Sequence, residues 1–247
     1  MFKKLFSVTA VVGAGLMSVG GAQAALMTYF GENKTPSQQV VGDPVLAKGN
    51  FLINSGPVLT ENFEGFARGD SAPLSLVFTG PGGPYSATLT NASAGSAIET
   101  FNTLGRFNTS GASGGPVAGK WWDSGSFTIN FGTPISAFGF FGTDIGDFNG
   151  QVRVTLTDVA GAVISRTINN SLGIEAGLLF WGFTDDVNRY TKIAFDNTAA
   201  AGIDGFGFDD MVVHFAPGVV NPTPEPDSMA LVGLSLLGLA TLRRRRS

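Results

Sequence analysis

Ser126–Phe131 reads SFTINF, and its apolar residues Phe127, Ile129 and Phe131 fall on every second position, with Ser126, Thr128 and Asn130 between them. Side chains on a strand point alternately to its two faces, so this spacing buries one face and leaves the other to water. Gln151–Thr157 repeats the pattern with Val152, Val154 and Leu156. Comparable runs occupy Val58–Phe66, Leu74–Thr79, Tyr85–Thr90, Ile135–Thr143, Ala162–Ile168, Leu178–Phe183, Lys192–Asp196 and Gly205–Phe215, most of them separated by Gly, Pro, Asn and Asp. Between the two ends of the chain no stretch combines helical spacing over more than two turns with caps at both ends. The expectation is an all-β fold, an antiparallel two-sheet β-sandwich.

Phenylalanine recurs beside glycine, in AFGFFG from Ala137, FWGF from Phe180 and GFGF from Gly205. Glycine in a strand leaves room for a large ring, so these groups are expected to form core, with the rings on the facing sheet. The Gly-rich stretch Ser110–Ser126 holds Trp121 and Trp122 with no periodicity that would bury both rings. It reads as a loop, with one indole plugging the core and the other open to stack on a sugar ring.

The two ends carry different signals. Lys3 and Lys4, an apolar run from Leu5 to about Val19, and Ala22 and Ala24 ahead of Ala25 form an export signal with an A-x-A cleavage site, predicting a signal peptide at 1–24. At the other end Pro224-Glu225-Pro226 precedes Ser228–Leu242, a stretch without charge, and then Arg243, Arg244, Arg245 and Arg246. Fifteen helical residues span only about 22 Å of a hydrocarbon layer roughly 30 Å thick, so a transmembrane helix here would need local thinning or snorkelling arginines. Clustered arginines stay on the cytoplasmic side, leaving the bulk of the protein outside. Proline on both sides of Glu225 keeps that tripeptide extended.

These three parts in this order resemble the PEP-CTERM sorting signal of Gram-negative bacteria. The resemblance implies a membrane-embedded exosortase that cuts near Pro-Glu-Pro, after transient anchoring in the inner membrane, and delivers the protein to the cell surface or extracellular matrix. It also implies association with exopolysaccharide and biofilm. The organisation expected is a signal peptide at 1–24, a β-sandwich domain at 25–220 and the sorting signal at 221–247, with signal peptidase and exosortase as processing partners.

The ends hold six of the 15 Lys and Arg and two of the 19 Asp and Glu, leaving 9 basic against 17 acidic residues in the exported part. A domain near −8 without basic clusters excludes nucleic acid as a partner and binding to anionic lipid by charge. The absence of cysteine removes disulfide and thiol chemistry. His214 is the one histidine, with no G-x-S-x-G nucleophile motif near it, so neither a Ser-His-Asp hydrolase nor a zinc site can be assembled. Glu61, Glu64, Asp144, Asp147, Asp209 and Asp210 are carboxylates available to a glycan hydrolase, but nothing in their spacing marks a raised-pKa acid. The chain reads as non-catalytic, with a secreted carbohydrate-active enzyme as the alternative.

In Gly205–Phe215 the apolar parity slips by one residue at Asp209-Asp210, as a β-bulge would require. Glu61–Phe66 (ENFEGF) and Gly205–Phe215 resemble the opening and closing strands of jelly-roll adhesion and carbohydrate-binding modules. That resemblance implies that the two strands pair and that Glu64, Asp209 and Asp210 hold a structural calcium.

Overall fold

The computed structural model describes residues 26–35, 39–100, 105–110, 119–123, 125–174, 176–198 and 205–215. The expected signal peptide with Ala22, Ala24 and Ala25, and the tail with Pro224, Glu225, Pro226 and Arg243 to Arg246, lie outside these residues. Among the described residues thirteen strands and one helix follow in the order β1 (Met27–Asn33), α1 (Asp43–Ser55), β2 (Leu59–Glu61), β3 (Leu74–Phe78), β4 (Tyr85–Thr90), β5 (Ala97–Glu99), β6 (Lys120–Asp123) and β7 (Ser126–Ile135). They continue with β8 (Ala137–Thr143), β9 (Val152–Asp158), β10 (Val163–Thr167), β11 (Leu178–Thr184), β12 (Tyr190–Asn197) and β13 (Phe206–His214).

The architecture is the antiparallel two-sheet β-sandwich. One sheet has the order β1-β11-β8-β13-β6-β5, with β2 also pairing along β13, and the other the order β10-β9-β12-β7-β4-β3. Strands β3, β4, β7 and β9 bury alternate residues, because one face packs on the opposite sheet and the other meets solvent. Between the sheets Phe127, Phe138, Phe140, Phe195 and Phe208 form the centre of the core. Their ring centroids lie 4.5 to 6.2 Å apart in stacked, tilted and edge-on pairs.

The first sheet is covered on its outer face as well, which the sequence reading did not foresee. Tyr29, Phe51, Phe107, Phe141, Phe180 and Val212 form a second, smaller core there. For this reason β8 and β11 are buried at every position rather than at alternate ones. The glycines make room on this side too. A Cβ on Gly139 would come 2.7 Å from Phe180 Cζ, and one on Gly182 3.0 Å from Phe51 Cδ2, so the rings they admit come from the adjoining strand and the helix rather than the facing sheet.

The expectation of no helix beyond two turns is corrected by α1, thirteen residues long. It starts at Gly42 with no side-chain cap and carries Pro in its first turn, so the usual start signal is missing. It buries Pro44, Ala47, Phe51 and Ser55 against the sheet while Val45, Leu46, Leu52 and Ile53 face outward. Apolar residues on both sides cancel the periodicity that marks an amphipathic helix.

Three strands were also missed. β1 takes the edge beside β11, β5 lies beside β6, and β6 turns the expected tryptophan loop into a strand beside β13.

Candidate functional site

β13 is pivotal to both candidate regions. It pairs with β8 from Gly207 opposite Thr143 to Asp209 opposite Phe141, and resumes with Val212 opposite Gly139, leaving one extra residue on β13. That is the bulge read from the parity slip. Asp210 absorbs it at φ 47°, a left-handed conformation that Asp tolerates better than most residues. Phe206, Phe208, Met211 and Val213 therefore all reach the core between the sheets, while Asp209 points to the outer face with Val212. Of the expected opening strand Glu61–Phe66 only Glu61 pairs with β13, at the end of β2, where Glu61 to Leu59 lie against Met211 to Val213; the strand that opens the fold, β1, pairs with β11 instead.

Residues 105–110 lie over this outer face. Asp209 Oδ2 accepts from Thr109 N at 2.6 Å and from the Thr109 hydroxyl at 3.0 Å, while Oδ1 accepts from Asp210 N at 2.7 Å and the Ser110 hydroxyl at 3.3 Å. Ser110 Oγ also lies 2.8 Å from Asp210 Oδ1, and Lys48 of α1 reaches Asp210 Oδ2 at 3.6 Å. Burial, reinforced by the Asp210 charge, pushes the Asp209 carboxyl up to about 8 against the pull of those hydrogen bonds. Lys120 is wholly buried nearby, and loss of hydration lowers its pKa against the opposing pull of Glu99 and Asp209.

The three residues expected to hold calcium are not brought together as a cation site. Glu64 instead accepts from Asn108 Nδ2 at 2.6 Å and Gly119 N at 3.4 Å. Among the described residues no group of three His, Cys, Asp or Glu side chains converges as a metal site. Calcium at Asp209-Asp210 would have to displace the Thr109 and Ser110 donors and the Lys48 ammonium.

The two tryptophans part company. Trp121 is fully buried and packs edge-on against Phe127 at 6.0 Å, so it has no face to offer a sugar. Trp122, on the opposite side of β6, is half-buried under the Arg106 guanidinium, 3.7 Å from its ring. Arg106 is held there by Asp144 at 3.6 Å and Glu99 at 3.8 Å, and Gly205 leaves room for the indole edge. The open stacking face expected of this pair is therefore occupied by the protein's own arginine.

An accessible cavity lies elsewhere, at the end of the sandwich where α1 stops. About 240 Å³ in volume, it is lined by Asn54, Ser55, Ser136, Ala137, Thr184, Asp185, Asp186, Arg189 and His214. His214 Nδ1 sits 2.6 Å from Pro57 O, which orients its ring along the wall. Asp185 forms the floor of the β11–β12 turn. Burial would raise its pKa, but donors from Asn188 N, Tyr190 Oη, Asn188 Nδ2 and Val187 N outweigh it and lower it. Arg189 is braced by the carbonyls of Asp185 and Asn188, and its Nε is buried without a partner among the described residues. Hydroxyl, amide, carboxylate and imidazole groups at one opening can hydrogen-bond a polyhydroxylated ligand, and Asp186 is exposed among them.

Of the cleft residues only His214 was singled out in the sequence, as a strand residue without catalytic partners. The others come from five elements and turns distant in the chain, and no local motif joins them.

Residues 222–246 match the family model of the PEP-CTERM protein-sorting motif. No curated protein matches the chain. Among solved structures, TmCBM61 in complex with β-1,4-galactotriose is similar at 18% identity over 52% of this chain and 88% of that one, with a TM-score of 0.32. The K2 cleaved adhesin domain of Lys-gingipain is similar at 11% identity over 63% of this chain and 98% of that one, with a TM-score of 0.31.

Proposed function

We propose that this chain is an exported, non-catalytic surface or matrix protein, delivered by its sorting tail and associated there with exopolysaccharide through the β-sandwich. The observation that carries the reading is the PEP-CTERM motif over residues 222–246, which implies export and processing by an exosortase. Arg243 to Arg246 hold the C-terminus in the cytoplasm until cleavage. The polar cleft is the place for a glycan, since its hydroxyl, amide and carboxylate groups match sugar hydroxyls.

The alternative, a glycan hydrolase, needs a protonated acid facing a second carboxylate across the substrate. Asp185 is held ionised by four donors, which suits a structural role better than that of an acid. The carboxylates pushed upward, Glu61, Asp123, Asp144 and Asp209, are buried elsewhere in the fold and line no part of the cleft.

Mature protein recovered from its host should end between Pro224 and Asp227 by mass spectrometry. Retention of Arg243 to Arg246 in that protein would mean that the tail acts as a plain anchor. The same mature protein on a glycan array, beside a hydrolysis assay on the same sugars, is expected to bind without turnover. Asp186→Ala should weaken that binding about tenfold, the loss expected for one hydrogen bond to a charged group. Turnover would establish the hydrolase, and neither binding nor turnover would remove the glycan from the proposal.

A further inference from the structure

The cleft where α1 ends spends most of its hydrogen-bond donors on the protein itself. Ser136 Oγ donates to His214 O at 3.4 Å, Ser55 Oγ to Gly56 O at 3.2 Å, and Asn54 Nδ2 to Asn50 O at 2.8 Å. A hydroxyl has one proton to give, so the two serines keep only lone pairs for a ligand, and Asn54 keeps its carbonyl oxygen and one amide proton. Pro57 O, 2.6 Å from His214 Nδ1, can only accept, so Nδ1 carries the proton and Nε2 of the neutral ring is an acceptor.

Arg189, the cation of the cleft, is turned toward its own loop. Its Nη1 donates to Asp185 O at 3.0 Å and Asn188 O at 2.9 Å, its Nη2 to Asp186 O at 3.5 Å, and its Nε is buried out of a ligand's reach. Its charge is offset by Asp185, which is buried and saturated by Val187 N, Asn188 N, Asn188 Nδ2 and Tyr190 Oη. Asp186 is left over, exposed at the opening, with a carboxylate that accepts no hydrogen bond among the described residues. The opening thus holds a surplus of acceptors and one surplus negative charge. The exported part as a whole, with 9 basic against 17 acidic residues, attracts the same kind of partner.

We infer that the cleft binds an amino sugar through its free ammonium group, so that its ligand class is a glycan with de-N-acetylated amino sugar residues. An ammonium has three donors and no acceptor, which matches the oxygens of Asp186, Ser136 and Asn54 and gives Asp186 a charge-assisted bond. A neutral hydroxyl in that place forgoes the charge. An N-acetyl group brings a carbonyl that needs a donor, and the cleft has almost none to spare. At about 240 Å³ the cleft lies below the ~300–1,000 Å³ of pockets that enclose drug-sized ligands, so it takes one ring and leaves the rest of the glycan outside. This specificity rests on the reading of the cleft as the glycan site.

Mature protein would be titrated by NMR, at about pH 6 and low salt, with the methyl glycosides of glucosamine, N-acetylglucosamine and glucose, which differ at one position. The glucosaminide is expected to bind about tenfold more tightly than the other two, to shift the His214 ring and Asn54 amide signals, and to weaken as salt is added. Asp186→Asn keeps the side-chain shape and one acceptor oxygen at an exposed position, so it leaves the fold intact. It should abolish the preference for the amine and hold the affinity for the glucoside within about twofold. Equal affinity for the three glycosides overturns the ammonium and leaves the glycan reading intact. Binding on the glycan array without shifts at His214 or Asn54 puts the glycan elsewhere on the protein and overturns the inference. Putrescine bound as tightly as the glucosaminide makes this an amine site in which the sugar plays no part, and also overturns it. No binding of any sugar, on the array or in solution, refutes the glycan reading itself.

Discussion

Phe140→Ala is expected to cost about 3–5 kcal/mol of folding stability, the range for removing a buried aromatic ring. Phe140 is fully buried on β8, with Phe208 at 5.2 Å, Phe195 edge-on at 5.6 Å, Phe138 at 6.2 Å and Trp181 at 6.3 Å. These neighbours come from both sheets. Two hydrogen-bonded sheets cannot move toward each other at one point, so the space left by the ring stays open and the cavity term adds to the lost transfer energy. For a domain of this size the melting temperature should fall by roughly 6–20 °C. Phe148→Ala, at an exposed position, should stay within about 0.5 kcal/mol of the parent. Urea unfolding of the two variants beside the parent measures both. A Phe140→Ala cost below about 1 kcal/mol would mean that the centre of the sandwich is looser than its ring geometry indicates.

Folding stability is expected to decline as pH rises from about 4 to about 8. Burial raises the pKa of Glu61 and Asp144, raises Asp123 to about 6, and together with Asp210 raises Asp209 to about 8. A carboxyl whose folded pKa exceeds its unfolded value of about 4 binds its proton more tightly in the folded state. Such a group costs nothing below the unfolded pKa, and deprotonation then favours unfolding progressively until the folded pKa is passed.

Two groups act in the opposite sense, in other windows. Asp185 is lowered, so its contribution is lost on acidification through and below the ordinary carboxylate range. Lys120 is lowered, so between its folded pKa and about 10.5 its neutral amine returns stability as pH rises. Asp209 dominates because it is wholly buried and its shift is the largest of the carboxyls. Asp209→Asn resembles the protonated acid in shape and charge. It should match the parent below about pH 4 and exceed it by a few kcal/mol near pH 9 in denaturant titrations. A parent as stable at pH 9 as at pH 5, with the variant no better, would show that Lys120 and the Thr109 and Ser110 donors keep Asp209 ionised at no cost.

Burial of one face only leaves a period-2 record in the chain, and that record was legible. Strands β3, β4, β7 and β9 lie within two residues of where alternation puts them, apart from the longer C-terminal reach of β7. The bulge at Asp209-Asp210 was legible too, because a register slip must flip the parity of every apolar residue beyond it. The sorting motif at residues 222–246 was legible because its parts follow one another in the chain as a linear string, without any fold.

Tertiary structure alone decided the rest. α1 carries apolar residues on both sides and so left no helical period to read, and β8 and β11, placed as strands from the sequence, are covered on both faces, which no alternation recorded. Trp121 and Trp122 look alike in sequence, but their neighbours in space place one inside the core and the other under Arg106. The charge state of Asp209 depends on Thr109 and Ser110, about a hundred residues away, and the cleft draws together Asn54, Ser136, Asp186 and His214 from across the chain. Local spacing reports which face of a segment is buried. What covers that face is settled only when distant segments pack, since desolvation and hydrogen bonding act between neighbours in space.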